Sequence, residues 1–143
     1  MSPLSAFAWA VLASFCWGFA PLFEKVGLRG NIDPAVGVLI RTVGVLVGVV
    51  LIFPLIPKLS GRFTDLTPRN WFFLSMGGLL ASVVGQLCFY RALKMGEISK
   101  VVPIGASYPV LAFLLGILFF HESITWPKMV GIALVMSGVF LLR

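Results

Sequence analysis

Glu24, Arg41, Gln86, Tyr90 and Arg91 lie inside or at the edges of long apolar runs. Ionisable and amide side chains are costly there, and are kept for pairing or for contact with a polar solute. A carboxylate, two guanidiniums, an amide and a phenol make ion pairs and hydrogen bonds and recognise a charged solute. They do not make an enzyme. The chain has 1 His and 5 acidic residues, with no metal-ligand spacing, no phosphate loop and no Ser/His/Asp set. No metal or other cofactor is expected, and catalysis would rest on Glu24 alone.

Depth decides which of these side chains can meet. Glu24 lies six residues before Gly30 and Arg41 seven after Pro34, so a helical hairpin brings both about 10 Å below the same surface at about 1.5 Å per residue. Tyr90 and Arg91 precede Gly96 by similar counts, and Pro103 follows Glu97 at that depth. Gln86 sits deeper, with Tyr108 and Pro109. Arg41 has two compatible readings, an ion pair with Glu24 and a contact for an anionic group of a solute. Lys25 is a candidate for coupling or ion pairing beside Glu24. It is also close enough to a helix end to snorkel, as are Arg91 and Lys94. Trp17, Tyr90 and Tyr108 offer amphipathic walls.

The elements that must hold this layer are membrane helices. Of 143 residues, 59% are hydrophobic and only 11% charged, with a mean hydropathy of +1.06, far from the composition of soluble domains. Five spans are legible, about residues 4–28, 34–56, 68–93, 98–120 and 123–142, the last borrowing Ser123 to Trp126 for its first turn. Each approaches the roughly 20 residues a crossing helix needs. Asp33-Pro34 and Thr67-Pro68 read as caps followed by a first-turn proline, and Gly30 and Gly96 as left-handed C-terminal residues. No run has the dyad alternation of a barrel strand. The fold class is therefore all-α, one polytopic five-helix domain over residues 1–143 with termini on opposite sides. Trp9, Trp71 and Trp126 would then mark one interface.

The stretch VVPIGASYPV, Val101 to Val110, interrupts an apolar run with two prolines and two hydroxyls. Each proline frees a carbonyl four residues earlier, Ser99 for Pro103 and Gly105 for Pro109. In a bilayer such carbonyls need neighbours or a hydrated cavity, so Pro103 and Pro109 are expected to bend the fourth span beside a polar pocket. Gly37, Arg41, Gly44 and Gly48 form one stripe on the second span, and Ser75, Gly78, Ser82 and Gly85 another on the third. Small residues let helices approach closely in lipid.

The 11 Lys and Arg, which give a pI near 9.9, flank the apolar runs as juxtamembrane anchors and do not form a nucleic-acid stripe. Cys16 and Cys88 fall within spans and read as small buried hydrophobes. No Lys or Arg precedes Lys25, which does not fit a signal peptide, so the first span is expected to be retained.

The segment FYRALKMGEISKVVPIGASYPVLAFLLGILFFHESITWPKMVGIALVMSGVFLL, Phe89 to Leu142, with WGFAPLFEK at Trp17 to Lys25 and the IRT around Arg41, resembles an EamA-type repeat of the drug/metabolite transporter superfamily. The resemblance covers essentially the whole chain. It implies a carrier built from two inverted five-helix repeats around a central cavity lined by the first four helices of each. One repeat is present here, and an excised half of a longer protein also fits these residues. Lys and Arg counts on the two faces are nearly balanced, four against six, which suits insertion in both orientations.

The functional reading is thus a secondary transporter in a prokaryotic cytoplasmic membrane, paired as an antiparallel homodimer, that moves a small polar or amphipathic solute, amino-acid-like or a drug. Its partners are membrane lipid and the solute, not nucleic acid. A non-transporting accessory subunit, a proton-coupled multidrug exporter using Glu24 and a lipid-linked substrate flippase are the alternatives.

Overall fold

The computed structural model describes residues 6–56 and 66–142. Among them every regular element is helical. Four helical stretches, Phe7–Gly27, Pro34–Leu55, Pro68–Met95 and Ile98–Phe120, are long and apolar enough to cross a membrane. Large apolar side chains are exposed along all of them, the surface expected of helices whose solvent is lipid. The chain falls into two compact units, the first ending at Lys94 and the second starting at Met95.

In the first unit, α1 (Ala6–Gly27) ends at a turn in which Gly30 takes φ 81°, a conformation that costs glycine nothing. Helix α2 (Pro34–Ile52) then starts where the sequence places it. Asp33 is extended and its Oδ1 accepts from the Ala35 amide at 2.7 Å, with Pro34 in the first turn. Asp33→Ala is expected to destabilise α2 by about 1 kcal/mol, measured as a shift of the denaturation midpoint in detergent micelles. Thr67 caps α3 (Pro68–Leu79) likewise, its Oγ1 accepting from the Asn70 amide at 3.3 Å.

The third span is not one α-helix. Residues Leu80–Gly85 form a π-helical turn between α3 and α4 (Gln86–Met95). The sequence reads as one continuous span from Pro68 to Leu93.

In the second unit, α5 (Ile98–Gly105) and α6 (Pro109–Phe120) are separated by a short turn at residues 106–108. Pro103 lies inside α5 and does not end it. The break comes just ahead of Pro109, which lacks an amide hydrogen and so begins a new helix more readily than it continues one. Within the turn the Ala106 amide bonds the Val102 carbonyl at 2.8 Å, and the Ser107 amide and hydroxyl both go to Ile104, at 3.1 and 2.7 Å. Local hydroxyl chemistry thus satisfies backbone groups that the interruption would leave bare.

Two boundaries differ from the sequence reading. Gly96 does not take a positive φ, whereas Gly30 does; the chain passes from α4 through Gly96 and an extended Glu97 directly into α5. Helix α7 (Trp126–Leu141) begins at Trp126, not at Ser123. Prolonging it backward would set the Pro127 ring against the carbonyl of Ser123, four residues earlier. At 16 residues it is about 24 Å long, short of the roughly 30 Å hydrocarbon core. The left-handed residue of this unit is His121, φ 52°, where the amides of His121 and Glu122 turn back to the Gly116 carbonyl. The Glu122 carboxylate then meets Lys128 at 3.3 Å. Helices α6 and α7 pack against one another.

Candidate functional site

The first unit places Glu24, Arg41, Gln86 and Tyr90 together. Helix α1 and the residue after it present Glu24, Gly27 and Leu28, spaced i, i+3 and i+4. Helix α2 presents Gly37, Ile40 and Arg41 with the same spacing, and α4 supplies Tyr90. With Phe23 and Ile32 these residues line a half-open cavity of about 250 Å³. Its walls are apolar and its polar groups few, the usual character of a small-molecule site.

The Glu24 carboxylate is the centre of the polar group. Its Oε1 lies 3.5 Å from Arg41 Nε and accepts a hydrogen bond from Gln86 Nε2 at 2.9 Å. The Glu24 side chain is 14% exposed and that of Arg41 33%, so the carboxylate is the more enclosed partner. Among the described residues no acceptor other than Glu24 contacts the Arg41 guanidinium. Its terminal nitrogens therefore offer donors to whatever enters the cavity, in the forked geometry that suits a carboxylate or phosphate.

Glycine makes this convergence possible at one position. A Cβ on Gly37 would lie 2.8 Å from the Leu28 side chain and 3.0 Å from the Tyr90 ring. The Tyr90 ring therefore rests on the bare backbone of α2 and is 3% exposed. Elsewhere on the same stripe, a Cβ on Gly44 or Gly48 would meet nothing within 4 Å. The small-residue stripe thus serves packing inside the unit at one end only.

Lysines tie α4 to the end of α1 and to the loop that follows it. Lys25 donates to the Leu93 carbonyl, and Lys94 donates to the Ile32 carbonyl at 2.5 Å and the Gly30 carbonyl at 3.4 Å. Lys25 meets the carbonyl-rich C-terminal end of α4, where the helix dipole favours a cation, whereas Lys94 satisfies carbonyls of the loop between α1 and α2. Lys25 thereby links α1 to the backbone of α4.

Other candidate residues stand apart from the cavity lining. Trp17 is 65% exposed, and Arg91 is exposed on α4. Tyr108 is 56% exposed and lies with Pro103 and Pro109 in the second unit. The lining residues that sequence reasoning missed are Phe23, Gly27, Leu28, Ile32, Gly37 and Ile40. Gly27, Leu28 and Gly37 lie three or four residues from Glu24 or Arg41 on the same helical face, a signal the charged positions alone would have supplied. Among the described residues no group of three or more His, Cys, Asp and Glu side chains converges to hold a metal.

The profile of the EamA-like transporter family matches residues 4–143. An uncharacterized transporter in the cobO 3' region of a Sinorhizobium species is 30% identical over 137 residues, covering 94% of this chain and 93% of that protein. The uncharacterized transporter YxxF of Bacillus subtilis is 26% identical over 137 residues, which are 96% of this chain but 42% of YxxF. The probable 4-amino-4-deoxy-L-arabinose-phosphoundecaprenol flippase subunit ArnF of Sodalis glossinidius is 38% identical over 71 residues, 48% of this chain and 55% of ArnF. No solved structure matches.

Proposed function

The chain belongs to the EamA-like transporter family, and from that premise we propose that it is a secondary carrier of a small polar or amphipathic solute, amino-acid-like or a drug, across a prokaryotic cytoplasmic membrane. The observation that carries this reading is the apolar cavity that holds the Glu24–Arg41 pair. Arg41 meets an anionic group of the solute, Gln86 and Tyr90 set the polar wall, and Glu24 is the internal counter-ion that the solute displaces or shares. Arg91, Trp17 and Tyr108 are further solute contacts, and the interruption before Pro109 lets the fourth span rock between access states. Counterflow in proteoliposomes with a panel of radiolabelled amino acids tests the carrier reading. Chain-dependent exchange of at least one of them is expected, and exchange of none counts against an amino-acid-like solute.

Two copies pair antiparallel in this reading. One relative has the length of this chain, while another is more than twice as long and is matched over 42% of itself. A pair of opposed copies would supply the inverted-repeat symmetry on which alternating access depends. The test is orientation. Single cysteines at Asn31 and at Ser123, in a chain lacking Cys16 and Cys88, are labelled from outside intact cells with an impermeant maleimide. Both sites are expected to react. Labelling of one site alone means a single orientation and rules out the antiparallel pair.

A second reading draws support from the names of two relatives, both flippase subunits. In it the chain is a subunit acting on a lipid-linked substrate, and purification would recover it with a different membrane protein.

A further inference from the structure

The π-helical turn at Leu80–Gly85 immediately precedes Gln86. Such turns close with bonds one residue longer than those of an α-helix and occur mostly as single insertions near functional sites. One extra residue is taken up with little change of angular phase, so all that follows is set back by one residue's rotation, about 100°. The sequence carries the matching pattern. Gly78, Ser82, Gln86 and Tyr90 follow in three successive steps of four. In an unbroken α-helix those twelve residues would leave Tyr90 about 120° from the phase of Gly78; the extra residue removes most of that drift.

In the π register, Gln86 bonds Glu24, Tyr90 is buried over Gly37, and Leu93 is wholly buried. Gly85 permits the turn, since a Cβ there would stand 3.1 Å from the Leu80 carbonyl oxygen. Drawn as an α turn, the same residues advance α4 by about 100°. Phe89 then takes the place of Tyr90, Ala92 that of Leu93, and Gly85 that of Gln86. Phe89 has nearly the shape of Tyr90 without its hydroxyl, so the hollow over Gly37 can be filled in either register. Glycine in place of Gln86 leaves Glu24 without its amide donor and opens space beside the Glu24–Arg41 pair. Two packings of similar volume from one sequence are what a bistable element requires.

We propose that Leu80–Gly85 is a register switch: its π form clamps Glu24 through Gln86, and its α form withdraws Gln86 and Tyr90 and frees the Glu24–Arg41 pair for the solute. This rests on reading that cavity as the solute site. Gly85 is a positioning residue, acting through Gln86.

Register is read by thiol cross-linking in membranes bearing the full chain without Cys16 and Cys88. The Leu28 side chain and the Tyr90 ring both lie over Gly37, so a Leu28→Cys, Tyr90→Cys pair reports the π register and a Leu28→Cys, Phe89→Cys pair the α register. Both pairs are expected to cross-link with a short bifunctional reagent. Deleting Val83 makes the turn α-helical while keeping Tyr90 in phase, and should preserve the first cross-link and abolish the second. Gly85→Ala presses on the Leu80 carbonyl and should raise the yield of the second relative to the first. Cross-linking confined to the Tyr90 pair overturns the switch, as does a Phe89 yield unmoved by both the deletion and Gly85→Ala. These yields need no solute. A chain that changes register but carries nothing contradicts only the carrier reading, and a carrier with one register contradicts only the switch.

Discussion

Arg41→Ala abolishes solute exchange in proteoliposomes, a loss of about 100-fold or more, while the chain still inserts and pairs; this is the expected result if Arg41 meets the solute's anionic group. The variant also leaves the enclosed Glu24 carboxylate without a cation. Breaking an enclosed pair by removing one partner costs about 3–5 kcal/mol, and the 33% exposure of the Arg41 side chain brings the figure toward about 1–3 kcal/mol. Stability and transport therefore fall together, and a second substitution separates them. In Arg41→Ala with Glu24→Gln, the stranded charge is gone and an oxygen remains at position 24 to accept from Gln86. Stability in detergent should return most of the way, and transport should not. Recovery of transport in the double variant would make Arg41 a structural counter-ion to Glu24. Native transport in the single variant would remove it from the solute path altogether.

The ion pair itself is legible in the sequence, because depth in a membrane helix is a linear count and the hairpin between Gly30 and Pro34 aligns two counts at one surface. Arg41 Nε lies 3.5 Å from Glu24 Oε1 as that count implies. The caps at Asp33 and Thr67 are legible for a related reason: they depend on a side chain and an amide two or three residues away and on little else.

Features that depend on phase, or on competition between neighbours, do not show in the sequence. The π turn is hidden because the small-residue stripe Ser75, Gly78, Ser82 and Gly85 follows ordinary α spacing, while the residues that turn inward, Gln86, Tyr90 and Leu93, belong to a stripe one residue later. Two overlapping patterns are present, and the tertiary contacts of Gln86, Tyr90 and Leu93 decide between them. Lys25 shows the same dependence on phase: adjacent helical residues point about 100° apart, and its ammonium reaches the Leu93 carbonyl, a partner that the sequence order does not suggest. At Pro103 and Pro109 the same residue type behaves in two ways, one lying within a helix and the other starting one.

Gly37→Leu should be the most damaging substitution on the second span, and Gly44→Leu one of the mildest for the fold of the isolated chain, although both glycines belong to one stripe. At Gly37 even a methyl carbon stands 2.8 Å from Leu28 and 3.0 Å from the Tyr90 ring, and Tyr90 cannot retreat without giving up its place beside Glu24. Overpacking of this kind costs about 1–3 kcal/mol, occasionally more. The larger consequence is displacement of α2, which carries Arg41, so solute exchange should be lost even where the chain still folds. At Gly44 a side chain meets open space, and replacing a mid-helix glycine gains up to about 1 kcal/mol of helix propensity. If Gly44 and Gly48 lie against the second copy of an antiparallel pair, Gly44→Leu should leave the denaturation midpoint of the detergent-solubilised monomer unchanged or raised and still abolish cross-linking between copies, since bulk in a small-residue interface separates helix backbones. Loss of the midpoint as well would place a partner for Gly44 inside the chain, and intact pairing would move the interface to another face.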